Sequence, residues 1–116
     1  MMRNQEVLGR PPLFDGTNFG FWKKRMSYYL MSLGPEVWHS VLNEYIAPST
    51  LPTNQDERKF YIANEKALNS ITNGITHSEF TKVMNCGSAK EVWDKLLSLY
   101  DGDSKVKKAK LQTHTS

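Results

Sequence analysis

Three histidines, one cysteine and a scatter of carboxylates are the residues with which this chain could do chemistry. His39, His77 and His114 stand far apart, and none has a second donor at metal-ligand spacing. His77 falls at a helix start and His114 in the tail, the places of capping or solvated residues. Cys86 precedes Gly87 at a helix end. A Cys–His pair with His39 or His77 would activate the thiol, but no motif joins them, and a structural thiol is the simpler reading. There is no CxxC, hence no zinc ribbon and no zinc knuckle. Gly16 and Gly20 are too few and badly placed for a phosphate loop. Glu36, Glu44, Asp56 and Glu57 carry no paired-carboxylate signature. The expectation is a protein that is not an enzyme, with no catalytic residue, cofactor, metal or small-molecule substrate.

The other chemistry on offer is charge and aromatic surface. The chain carries 15 cations and 12 acids over 116 residues. Lys105, Lys107, Lys108 and Lys110 lie in a last segment without an acid. Removing those four from the 15 leaves 11 cations against 12 acids in residues 1–104, a body with a net charge of −1. Such a body is no nucleic-acid clamp. The tail reads either as a weak, nonspecific phosphate-binding segment or as a solvated helix whose apolar face is Val106, Ala109 and Leu111. The aromatics concentrate in FDGTNFGFWKKRM, residues 14–26, ahead of Lys23, Lys24 and Arg25.

These residues must be positioned by helices. Residues 1–12 form a flexible lead-in ending at Pro11-Pro12. Asp15-Gly16 is a turn, and Thr17 or Asn18 can cap the next helix. At ~100° per residue, Phe19, Trp22, Met26, Tyr29, Leu30 and Leu33 share one face of a helix over 19–33. Phe21 and Tyr28 lie roughly 180° from that stripe, with Met31 about 60° from them. A helix apolar on two faces is either central in its bundle or covered by a partner. Both readings stay open here. Gly34 stops this helix and Pro35 opens a second, to about Tyr45, bearing Val37, Trp38, Val41, Leu42 and Tyr45. APSTLPTN is a loop.

A third helix starts near Asn54 or Gln55, with Asp56 and Glu57 where the helix dipole favours acids. Its stripe is Phe60, Ala63, Ala67, Leu68 and Ile71, and Gly74 closes it. A short fourth helix follows Thr76, with Phe80, Val83 and Met84 facing in and Asn85 and Gly87 suited to its C-terminal cap. A fifth begins after Ser88 with the stripe Ala89, Val92, Trp93, Leu96, Leu97 and Tyr100, and ends at Asp101-Gly102. A sixth starts in the tail. No run alternates as a strand would, and no repeat or low-complexity tract is present. The fold class is all-α: a compact bundle of about five short helices plus a truncated or frayed sixth. The domain spans 13–102, between the lead-in 1–12 and the basic tail 103–116. No segment approaches the ~20 apolar residues of a membrane span, and the N-terminus lacks the apolar run of a signal peptide. With a single cysteine, a cytoplasmic, reducing location is expected.

Two segments together carry a family likeness. LFDGTNFGFWKKRMSYYL, residues 13–30, resembles the opening motif of copia-type LTR-retrotransposon Gag proteins: an apolar residue, a Gly turn, Asn-Phe, a Trp-Lys pair, then Met and Leu at helical spacing. SAKEVWDKLLSLYDG, residues 88–102, resembles the family's Ala-Lys-Glu-x-Trp-Asp-x-Leu helix ending near Tyr. Between them NEKALNSITNGI is similar to the family's central helix. The resemblance covers about Leu13 to Leu111 and implies a capsid-like, structural domain that self-associates around RNA. It marks Phe14, Phe19, Trp22, Met26, Trp93, Leu96 and Tyr100 as hallmark positions. In the family the chain usually continues to a CCHC zinc knuckle, protease and polymerase. Here the sequence stops at Ser116, which fits a fragment of a longer polyprotein or a truncated, domesticated remnant. The expected partner is another copy, through Phe21, Tyr28 and Met31. The alternatives are a host protein, or RNA bound weakly and nonspecifically by Lys105, Lys107, Lys108 and Lys110.

Overall fold

A computed structural model describes residues 10–46 and 48–101. Among them are five helices: α1 (Phe19–Leu33), α2 (Pro35–Leu42), α3 (Gln55–Asn73), α4 (His77–Val83) and α5 (Ala89–Tyr100). The bundle is all-α, as the periodicity predicts. The expected sixth helix and the lead-in up to Gly9 lie outside the described residues.

The breaks between helices have local causes. Gly34 is at once the last cap of α1 and the first of α2, with φ 143° and ψ 147°. Its N–H donates to the Met31 carbonyl, and its own carbonyl accepts from Val37 N–H at 3.0 Å. Only glycine adopts that backbone without strain, so α1 and α2 meet at one residue. Helix α2 ends at Leu42, three residues short of the expected Tyr45. Asn43 is extended, and both its backbone N–H and its side-chain amide donate to the His39 carbonyl at 3.0 Å. An asparagine offering the last turn a side-chain donor competes with continuation of the helix.

Neither Thr17 nor Asn18 caps α1 with its side chain. Asn18 sits in the left-handed region (φ 55°, ψ 50°) and makes no side-chain cap bond. The Thr17 N–H and hydroxyl both donate to Asp15 Oδ1, at 3.0 and 2.7 Å. Asn54 does cap α3: its Oδ1 accepts from the N–H groups of Asp56 and Glu57. Ser88 caps α5 through Glu91 N–H. Helix α4 ends with Met84 in a right-handed helical conformation, and the Cys86 N–H then donates to the Val83 carbonyl. Asn85 and Gly87 are not its cap. The Gly87 N–H is instead taken by the Glu91 carboxylate at the head of α5.

Helices α2 and α3 pack most extensively, with α1 and α5 against them and α4 resting mainly on α5. Within the core, Met26, Leu30, Ala67, Ile71, Ala89 and Leu96 are wholly buried. The stripes are narrower than expected. Leu33, Leu42, Phe60 and Met84 are exposed. Leu33 and Leu42 are the last residues of α1 and α2, Met84 lies one residue past α4, and Phe60 is the first residue of its stripe near the start of α3.

The segment before α1 is built into the core. Phe14 pairs with Ile75 in an isolated parallel bridge: Phe14 N–H donates to the Gly74 carbonyl at 2.7 Å, and Thr76 N–H to the Phe14 carbonyl at 3.0 Å. The Phe14 ring lies 5.4, 5.2 and 4.9 Å from those of Phe19, Trp22 and Tyr100. Trp22 touches Trp93, which meets Trp38 edge-on. Trp22 Nε1 donates to the Pro12 carbonyl at 2.9 Å, so the one polar atom of that buried indole is satisfied. Six of the seven hallmark residues are buried, and Tyr100 is half-buried.

Candidate assembly surface

Helix α1 has two apolar faces with different fates. The inner face, Phe19, Trp22, Met26 and Leu30, is buried. On the outer face Phe21 is 67% exposed, Tyr28 58% and Met31 42%. Helix α1 is therefore not sandwiched within its own bundle. Cations of the same helix lie over the rings: the Arg25 guanidinium stands 5.8 Å from the Phe21 centroid, and Lys24 Nζ 5.5 Å from that of Tyr28. Such contacts stabilise by about 0.5–1 kcal/mol at exposed sites, less than burial of the rings would provide. Leu13, exposed at 65%, lies beside Phe21 and Arg25 around a shallow hollow of about 200 Å³ that also takes in Asp15. The outer face thus extends from the segment before α1 along its whole length.

A second surface has no forerunner in the sequence analysis. A groove of about 400 Å³ opens where α2 ends and α3 begins. Ile46, Pro48, Pro52 and Phe60 give it apolar walls, and Glu44 and Glu57 are the acids that line it. Ile46 is 85% exposed. Tyr45, also lining it, feels a negative field. Burial first pushes its hydroxyl pKa up, and Tyr61, Glu57 and Glu65 push it the same way. The available signal was compositional: YIAPSTLP interleaves apolar residues with prolines where a solvated loop would be polar.

The residues with catalytic potential do not converge. His39 contacts Asn43, ring nitrogen to side-chain amide at 3.1 Å, and its ring faces that of Phe60 at 6.4 Å on the rim of the groove. His77 is exposed at the first residue of α4. Burial pushes the Cys86 thiol pKa up and Glu91 adds to the shift, which disfavours the thiolate a nucleophile needs. Glu36 pairs with Lys59 at 3.6 Å, and Asp56 lies in the first turn of α3. Gly16 follows the Asp15 turn and Gly20 lies inside α1, so they form no loop together. Among the described residues no group of three His, Cys, Asp or Glu is placed to hold a metal ion. None of the described helices is long and apolar enough to cross a membrane. His114 and the four tail lysines lie outside the described residues.

One polar cluster is structural. Glu79 is 4% exposed and accepts hydrogen bonds from the Tyr100 hydroxyl and from Lys82 Nζ, the latter at 3.2 Å. Lys82 also donates to the Tyr100 oxygen at 2.5 Å, and these two bonds raise its pKa, that to Tyr100 the more. The cluster fastens α4 to the end of α5. Its ring, Tyr100, is the one that stacks on Phe19 and meets Phe14 edge-on.

A family model described as the gag-polypeptide of LTR copia-type matches residues 26–115. No curated protein and no solved structure matches the chain. The matched span runs from the middle of α1 through α5.

Proposed function

The chain belongs to the copia-type LTR-retrotransposon Gag family, and from that premise we propose that it is a capsid-like structural domain that works by associating with further copies of itself. The observation that carries this reading is the outer face of α1. Phe21, Tyr28 and Met31 line one side of a helix whose other side already fills the core. Exposed aromatics flanking a pair of cations mark an interaction site on a small domain. Aromatic anchors of this kind are each worth about 2 kcal/mol when truncated at an interface. The family is structural, which fits the lack of convergence among His39, Cys86 and the carboxylates.

Light scattering coupled to size exclusion over a concentration series tests this reading. The expected outcome is a mass that rises above the 13.3 kDa of one chain as concentration increases. Phe21→Ala combined with Tyr28→Ala should lower the association while leaving the helical circular dichroism intact, because neither ring is in the core. A mass fixed at one chain throughout the series would overturn the reading.

A further inference from the structure

Self-association requires a surface that receives the outer face of α1, and the charges decide which. Helix α1 holds three cations and no acid. Lys23 is engaged with Asp101 at 3.3 Å, whereas Lys24 and Arg25 form none of the ion pairs among the described residues. They sit midway between Phe21 and Tyr28. A two-fold contact that sets Phe21 of one copy on Tyr28 of the other therefore brings Lys24 onto Arg25 at its centre. A parallel two-fold sets Lys24 on Lys24 instead. Like charges at the middle of an interface oppose association. The groove between α2 and α3 has the complementary character. Glu44 and Glu57 line it, neither is in an ion pair among the described residues, and Ile46, Pro48 and Phe60 offer apolar walls to a ring.

We propose that the outer face of α1 docks head to tail into the α2–α3 groove of a second copy, Phe21 and Tyr28 entering the groove and Lys24 and Arg25 meeting Glu44 and Glu57. This rests on the self-association reading above. No residue belongs to both surfaces, so each copy presents a donor face and a receiving groove at once. Such a contact propagates, closing into a ring or continuing as a filament according to its rotation.

Complementation of full-length variants, read by light scattering, tests the contact. One variant loses the donor face (Phe21→Ala with Tyr28→Ala). The other reverses the groove (Glu44→Lys with Glu57→Lys). All four positions are exposed, and circular dichroism checks that each variant folds. Each alone should be monomeric. An equimolar mixture should give dimers and nothing larger, because only one intact face and one intact groove remain. In a second arm, Lys24→Glu with Arg25→Glu should weaken association on the order of tenfold, and adding the groove reversal to the same chain should restore it. A groove variant that associates like the wild type would overturn the head-to-tail contact while leaving self-association standing. A wild-type chain that stays monomeric at every concentration would overturn both.

Discussion

Gly74 and Gly20 look alike in the sequence and differ in what surrounds them. A Cβ built on Gly74 would collide with the Met26 Cε and come within 2.7 Å of the Pro12 carbonyl oxygen. The absence of a side chain there lets the segment carrying Phe14 lie against the end of α3. Gly20, inside α1, has nothing within 4 Å of such a carbon. Gly74→Ala should therefore destabilise by about 1–3 kcal/mol through overpacking. Gly20→Ala should stabilise by about 0.4–1 kcal/mol by restricting the unfolded chain. Denaturant titration of the two variants reads the opposite signs, and a neutral Gly74→Ala would show that the close approach is not needed. Asp15 offers a pH-dependent test. The Thr17 hydroxyl first, then its N–H, hold the Asp15 carboxyl pKa below the ordinary 3.8. The folded state thus favours the ionised form. Its contribution is complete above 3.8 and disappears as pH falls through the lower folded value. The Thr17 amide shift should titrate with a midpoint below 3.8 and cease to do so in Asp15→Asn. The Asp15 turn and the helix stop at Gly74 are legible in the sequence, but the atoms that crowd Gly74 are not, because they belong to segments that meet only in the fold.

At the scale of elements, the sequence was most informative where periodicity and a cap agreed. Six apolar residues on one face and the stop at Gly34 predict α1 with its observed ends. Asn54 and the acids that follow mark the start of α3, and Ser88 that of α5. The errors lie where an end is decided by competition. The α2 terminus depends on how Asn43 uses its amide, and α4 has seven residues, too few for a stripe to declare its width. Capping gives a test within the same chain. Asn54 accepts two backbone N–H groups, so Asn54→Ala should cost about 1 kcal/mol. Asn18 occupies the corresponding place before α1 but accepts none and has positive φ. Asn18→Gly should therefore be neutral or mildly stabilising, since glycine tolerates that backbone better. Equal thermal shifts for the two variants would contradict the difference in capping. The face of α1 was legible as two stripes. Whether the outer stripe met its own bundle or water was not, because that depends on where α2 to α5 pack.

For the whole molecule, the family match and the physical domain do not share a boundary. The match begins at residue 26, yet Phe14, Phe19 and Trp22 precede it and are at least nine-tenths buried. They close one end of the aromatic chain that continues through Tyr100 and Trp93. Removing a buried Phe or Trp side chain costs about 3–5 kcal/mol. The three rings touch one another, so their losses do not simply add, but each is a large share of the roughly 5–15 kcal/mol that holds a domain folded. Removal of the segment also takes away the Phe14–Ile75 bridge and leaves Trp93 and Tyr100 facing water. A chain beginning at Met26 should therefore show no cooperative thermal unfolding, whereas Phe14→Ala in the full chain should still unfold cooperatively but at a lower temperature. Differential scanning calorimetry separates the outcomes. A cooperative transition in the shortened chain, near the full-length temperature, would mean that the bundle of α2 to α5 stands without its aromatic arm. Phe21 would then be a detachable part of the assembly surface, with Tyr28 and Met31 left on the shortened α1. The burial of Phe14 and the two hydrogen bonds of its backbone to Gly74 and Thr76 argue for the opposite: the same arm that completes the core fixes α1 in place, and with it the orientation of Phe21 and Tyr28.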